Sequence, residues 1–273
     1  MGHSGRPTSF GFLCSVLAAV LTASIASPVV SAEPPMPTVV LVHGAWADTS
    51  SWDGEVTALQ VEGYDVRAIA NPLAGLTSDA ATVSSFLKTV PGPVVLVGHS
   101  YGGSVITNAA EGNPNVKALV YVDAAAPDVG ETNGSLSGAD SVLKQKPEDE
   151  LFDRLPYPGA PPGAADLYLR RDIFVSYFGS DLSPDVAARL WATQRVASTA
   201  AFDTPSRYAA WKTIPSWYFI SSGDQIITAT AERAMAARAG SHVTEFDGGS
   251  HLTLISHPNA VSAAILDAAR SVG

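Results

Sequence analysis

Three observations place this 273-residue chain in the α/β class, as a mostly parallel central sheet with helices on both faces. Short apolar runs rich in Val and Ile recur along it. These runs are continuous rather than alternating, as expected of strands buried on both faces. Helix-compatible stretches separate most of them, and a β-α-β-α order needs crossovers that lie against the sheet.

Residues 1–32 are expected to be a removable export signal, outside the fold. A short start with Arg6 precedes an apolar stretch from Phe10 to Ile25, and Val30-Ser31-Ala32 has the small-residue pattern of a cleavage site. Gly11, Ser15, Thr22 and Ser24 interrupt the stretch, which makes it a poor membrane span of about 20 apolar residues. Cleavage would leave one domain, residues 33–273, and remove the only cysteine, Cys14. No disulfide could then form, so stability must come from an ordinary core. The net charge is −10, and losing Arg6 makes it one unit more negative. That balance argues against nucleic acid and anionic membrane surfaces as partners. No zinc-type ligand cluster stands out among the six His, and no cofactor is expected.

Along the chain, Thr38–Val42 reads as a strand bounded by Pro37 and Gly44. Ser51–Glu62 reads as a helix stopped by Gly63, Tyr64–Ala70 as a strand, and Ser78–Thr89 as a helix with Ser78 at its N-cap. Pro93–Val97 and Lys117–Val122 are two more strands, around a helix that begins after Ser100. From Ala124 to Pro205 the rhythm fails. Pro, Gly and charge increase, centred on 156–163, and aromatic residues gather: Phe152, Tyr157, Tyr168, Phe174, Tyr177, Phe178 and Trp191. This stretch is expected to be a mostly helical insertion, its aromatics forming either an apolar pocket or the insertion's own core. The strand pattern returns at Ser216–Ser221 and His242–Phe246, with helices at Ala229–Ala239 and Pro258–Ser271.

Gly98-His99-Ser100-Tyr101-Gly102 is a G-x-S-x-G pentapeptide between a strand and a helix, the setting of a serine on a strained turn. A serine hydroxyl needs an imidazole to take its proton and a carboxylate to orient that imidazole. In this chain order the acid follows a late strand and the histidine follows the last one. Asp224 and His251 occupy those places; Asp123, at the end of an earlier strand, competes for the acid role. Asp247, four residues before His251, reads as structural. His242 should lie at the far end of the sheet, His257 before a helix, and His99 should point away from the serine. The oxyanion of an acyl-transfer intermediate needs backbone donors. The amides of Tyr101 and Ala45 are the candidates, with Gly44 allowing close approach and His43 bonding loop backbone.

Together these residues resemble the α/β-hydrolase fold from about Thr38 onward. His43-Gly44-Ala45-Trp46 with Trp52, the Ser100 pentapeptide followed by Gly103, Gly223-Asp224 and Gly249-Ser250-His251 resemble the small serine esterases grouped with plant methyl esterases and hydroxynitrile lyases. The resemblance implies an eight-stranded, mostly parallel sheet, with room for reduced first strands, and a helical cap inserted at about 124–205. Together with the leader and the residues above, it points to a secreted serine esterase cleaving small-molecule carboxylic esters through Ser100, His251 and Asp224. The lyases of this group carry Thr and Lys where this chain has Gly44 and Leu252, which argues against lyase chemistry. An amidase, a lactonase, a perhydrolase and a non-catalytic binding protein on the same scaffold are the alternatives.

Overall fold

The computed structural model describes residues 1–11, 35–160 and 162–272. Most of the expected leader, with its cleavage site and Cys14, lies outside the described residues. The folded unit spans Pro34–Gly273. Its strands are Thr38–Val42 (β1), Val66–Ile69 (β2), Val94–His99 (β3), Val116–Val122 (β4), Phe152–Leu155 (β5), Asp166–Leu169 (β6), Ala197–Ser198 (β7), Ser216–Ser221 (β8) and His242–Phe246 (β9).

Among the described residues, six strands form one sheet in the order β2-β1-β3-β4-β8-β9, and every neighbouring pair is parallel. The implied eight strands are therefore six here. β1, β3 and β8 are buried at every position, and β4 at all but Lys117. Their unbroken apolar runs follow from having neighbours on both edges and layers on both faces. β9 closes one edge and is exposed from His242 to Glu245, which is why it alone carries polar residues along its length.

The helices fall into two groups, as covering both faces requires. Asp53–Val61 packs on Pro258–Ser271, and Leu76–Leu87 packs on Tyr101–Ala109. One expected cap is corrected. The helix at Leu76–Leu87 starts after Gly75, whose φ of 150° suits glycine, so Ser78 lies inside the first turn. The neighbouring Asp79 carboxylate accepts from the amides of Ala74 and Gly75, each at 3.2 Å. With two acceptor oxygens, one for each amide, it serves the start of this helix better than a single hydroxyl.

The insertion contains short helices, including Pro184–Ala192, but also a three-stranded antiparallel sheet in the order β5-β6-β7. The mostly helical expectation was thus incomplete. These strands are two to four residues long, too short to set up a visible period. The Pro- and Gly-rich run after β5 is the connection that returns the chain as β6.

Candidate active site

At the end of β3 the chain turns sharply into the helix Tyr101–Ala109. Ser100 sits on the turn with φ 55° and ψ −124°. A non-glycine residue held there costs on the order of 1–3 kcal/mol, and the surrounding structure must enforce it. Small neighbours make the turn possible. A Cβ on Gly98 would lie 2.6 Å from the Gly102 carbonyl oxygen, and one on Gly102 would strike the carbonyl oxygen of Val42.

His251 lies in the turn after β9, and Asp224 in the turn after β8. His251 Nε2 is 2.7 Å from Ser100 Oγ, and its Nδ1 is 2.6 Å from Asp224 Oδ2. A carboxylate only accepts, so Nδ1 carries the proton and Nε2 is free to accept from the serine hydroxyl. Burial holds the imidazole neutral, lowering its pKa from 6.5 to about 3. Asp224 is also pushed upward by burial, while the amides of Ile226 and Ile227, at 2.7 and 3.2 Å from its Oδ1, favour its charge.

The structure brings Ser100, His251 and Asp224 together and leaves Asp123 out of contact with the imidazole. Asp123 instead accepts from the amide and hydroxyl of Ser221, at 2.7 and 2.9 Å. His43 accepts the Asn71 amide at Nε2 (3.0 Å) and donates from Nδ1 to the Gly44 carbonyl (2.9 Å), a loop-bonding role. His242 starts β9, stacked on Trp217, and His257 precedes the last helix. Asp247 accepts from Ser222 at 3.3 Å. His99 turns from Ser100 but not from the site. Its Nε2 donates to the carbonyl of His251 (2.8 Å), and the two rings lie 4.8 Å apart.

Among the described residues, the amides of Ala45 and Tyr101 donate to no protein atom. Both flank Ser100: Gly44 is so close that a Cβ there would sit 2.5 Å from the Ser100 Cβ. Tyr101 is also tethered, its phenol donating to Asp79 at 2.7 Å. Two free amides beside a buried serine can hold a developing oxyanion, an effect worth a few kcal/mol.

Ser100 opens into a cavity of about 310 Å³ whose apolar lining includes Trp46, Phe152, Phe202, Leu167, Ile226 and Ile227, with Asn133 and charged residues such as Lys144 and Arg154 also lining it. Trp46 is stacked between Phe152 and Phe202, at centroid distances of 5.4 and 5.3 Å, and its indole donates to the Leu167 carbonyl. The aromatics of the insertion thus divide. Phe152 lines the cavity, Phe174 and Phe178 are insertion core, and Phe178 also packs 5.0 Å from the His251 ring.

Other contributors escaped the sequence reading. Asp181, from the insertion, accepts from Ser250 beside His251 and from Ser256, both at 2.5 Å. Nothing local in the sequence signals that contact. Glu232 is fully buried on the apolar stripe of Ala229–Ala239, with Ala229, Met235 and Ala236. An acid at that helical spacing was a signal available and not used.

Residues 39–264 match the family described as "Alpha/beta hydrolase family". A carbendazim-hydrolysing esterase of Nocardioides sp. (strain SG-4G) is 34% identical over 110 residues, which is 36% of this chain and 46% of that esterase. Two solved structures are similar in fold. Polyneuridine aldehyde esterase has a TM-score of 0.72 at 19% identity, covering 85% of this chain and 99% of that one. An extracellular alpha/beta-hydrolase from a Paenibacillus species, described as sharing structural and functional homology with Tobacco Salicylic Acid Binding Protein 2, has a TM-score of 0.70 at 23% identity, covering 85% and 98%.

Proposed function

The chain belongs to the alpha/beta hydrolase family, and on that premise we propose that it is an ester hydrolase that cleaves small carboxylic esters through a Ser100–His251–Asp224 triad and an acyl-enzyme. His251 Nε2 takes the Ser100 proton as Oγ attacks the ester carbonyl. The amides of Ala45 and Tyr101 hold the oxyanion, and Asp224 orients and stabilises the imidazolium. Collapse of the intermediate expels the alcohol, which takes its proton from His251. Water, deprotonated by His251, then attacks the acyl carbonyl, and breaking the acyl–Oγ bond frees the acid and restores Ser100.

One observation carries the reading: an unbroken line of hydrogen bonds, 2.7 and 2.6 Å, runs from a strained serine at the cavity wall to a buried carboxylate. Labelling with a fluorophosphonate probe and mapping the modified peptide tests it. Modification at Ser100, absent in Ser100→Ala, is expected; labelling elsewhere, or none, overturns the mechanism. An inactive wild type that binds esters tightly would favour the binding-protein alternative.

We also propose that the protein is exported and that residues 1–32 are removed on the way. The leader-like pattern before Ala32 supports this. The first residue of protein recovered outside the cytoplasm, read by N-terminal sequencing, is expected to be Glu33.

A further inference from the structure

Three carboxylates meet beside the triad: Asp123 at the end of β4, Asp224 after β8, and Glu232 on Ala229–Ala239. One oxygen from each lies within 4.8 Å of the others, and all three residues are buried. Among the described residues, no Lys or Arg forms an ion pair with any of them. Arg233 on the same helix is paired with Glu245, and Arg238 with Glu131. Tyr218 spends its hydroxyl on the Ala124 carbonyl, and Tyr121, stacked on it, bonds Thr107. Three uncompensated charges cannot share so small a buried volume.

The hydrogen-bond inventory says where the proton sits. Asp123 receives the Ser221 amide and shares the single Ser221 hydroxyl proton with Thr253 Oγ1, whereas Asp224 receives the amides of Ile226 and Ile227 and the N–H of His251. Burial pushes both carboxyls upward, and these donors oppose it, most at Asp224 and less at Asp123. Both oxygens of Glu232, a side chain with no exposure, lack a partner. We propose that Glu232 is the neutral acid of the cluster, and that its O–H, donated to the Asp123–Asp224 pair, keeps Asp224 ionised for His251. It touches no reacting atom and acts as a positioning residue; this role rests on the triad reading above. Burial first, then the charges of Asp123 and Asp224, push the Glu232 carboxyl well above the usual range; Arg233 and the Ala124 amide oppose this more weakly.

Infrared spectroscopy tests the proton directly. The difference spectrum of wild type minus Glu232→Gln at neutral pH, in which the equally buried and unpartnered Glu55 cancels, is expected to show the carbonyl stretch of a protonated carboxylic acid, disappearing only at alkaline pH. Kinetics test the role. Glu232→Gln supplies an amide donor and is expected to hold kcat/KM within about threefold. Glu232→Leu leaves two carboxylates facing each other, so one takes a proton more readily. Its kcat should fall roughly tenfold or more at unchanged KM, and the acid limb of kcat/KM should move to higher pH. A difference spectrum without that band overturns the proposal. So does Glu232→Gln as damaged as Glu232→Leu, a Glu232→Leu with the wild-type pH profile, or calcium raising the Tm of wild type but not of Glu232→Gln, which would make Glu232 a cation ligand. If Glu232→Leu does not fold, the band and Glu232→Gln decide. Failure of the triad reading is seen separately, as hydrolysis that survives in Ser100→Ala.

Discussion

At the ends of β3, β8 and β9 the reactive atoms are fixed by backbone, whereas in the insertion the cavity wall is fixed by side chains. Ser100 is aimed by its own φ of 55°, Asp224 by two amides, and His251 through its carbonyl by His99. Phe152 and Phe202 of the insertion instead stack on the two faces of Trp46, which the loop after β1 supplies at φ 56°, an arrangement worth about 0.5–1.5 kcal/mol per pair beyond burial. The difference teaches that the chemistry should be insensitive to changes in the wall, while substrate preference should follow them.

The sharpest test of that division removes the nucleophile. Ser100→Ala is expected to lower kcat by roughly 10⁴-fold or more, while equilibrium binding of a slowly cleaved ester stays within about threefold. Loss of binding and turnover together would break the separation.

Next in size is the choice of acid. Asp224→Asn should cost on the order of 10⁴ in kcat by spoiling the imidazole's orientation and tautomer, a size taken from the analogous change in a serine protease. Asp123→Asn, whose hydrogen bonds are to Ser221 and which reaches the imidazole only through its neighbour Asp224, should cost about tenfold or less. Equal losses would mean that the two carboxylates share the role.

In the wall, Phe202→Ala should raise KM for a bulky aromatic ester by about tenfold and leave kcat within about threefold. A short acetyl ester should barely notice the change. A comparable fall in kcat for both esters would show that the wall positions the chemistry after all.

The smallest effect concerns pH. Only neutral His251 can accept the serine proton, so kcat/KM should fall as pH drops through the folded enzyme's imidazole pKa. Burial lowers that value, which puts the acid limb below 6.5. A pH profile with its midpoint at or above 6.5 would mean that the charge of Asp224 outweighs the loss of hydration.

How much of this was legible in the sequence depended on how local the cause was. β8, β9 and the helices Ala229–Ala239 and Pro258–Ser271 lie where the apolar runs and their flanking turn residues put them. The serine, the histidine and the acid could be named because each stands immediately after a strand, and the structure brings the named three together. Ser78 misled because a hydroxyl before an apolar stretch looks like a cap, while the free amides sat within reach of Asp79. The insertion's sheet left no period, since its longest strands have four residues. Asp181 meets Ser250 across 69 residues, and no spacing rule reaches that far. Glu232 was readable in principle, as an acid on a helical face otherwise made of Ala and Met.

The Asp181 carboxylate gripping Ser250 and Ser256 bears on how such enzymes can be recombined. If substrate range is to be altered by exchanging the whole insertion for one from a relative, the incoming segment must bring an acceptor to that spot. Without it, a graft that fits the cavity would still leave the Ser250 hydroxyl, next to His251 in the chain, without its acceptor, and a loss of turnover in the chimera would then have a cause outside its new pocket. Carrying Gly179–Leu182 over intact is therefore the minimum overlap for such an exchange.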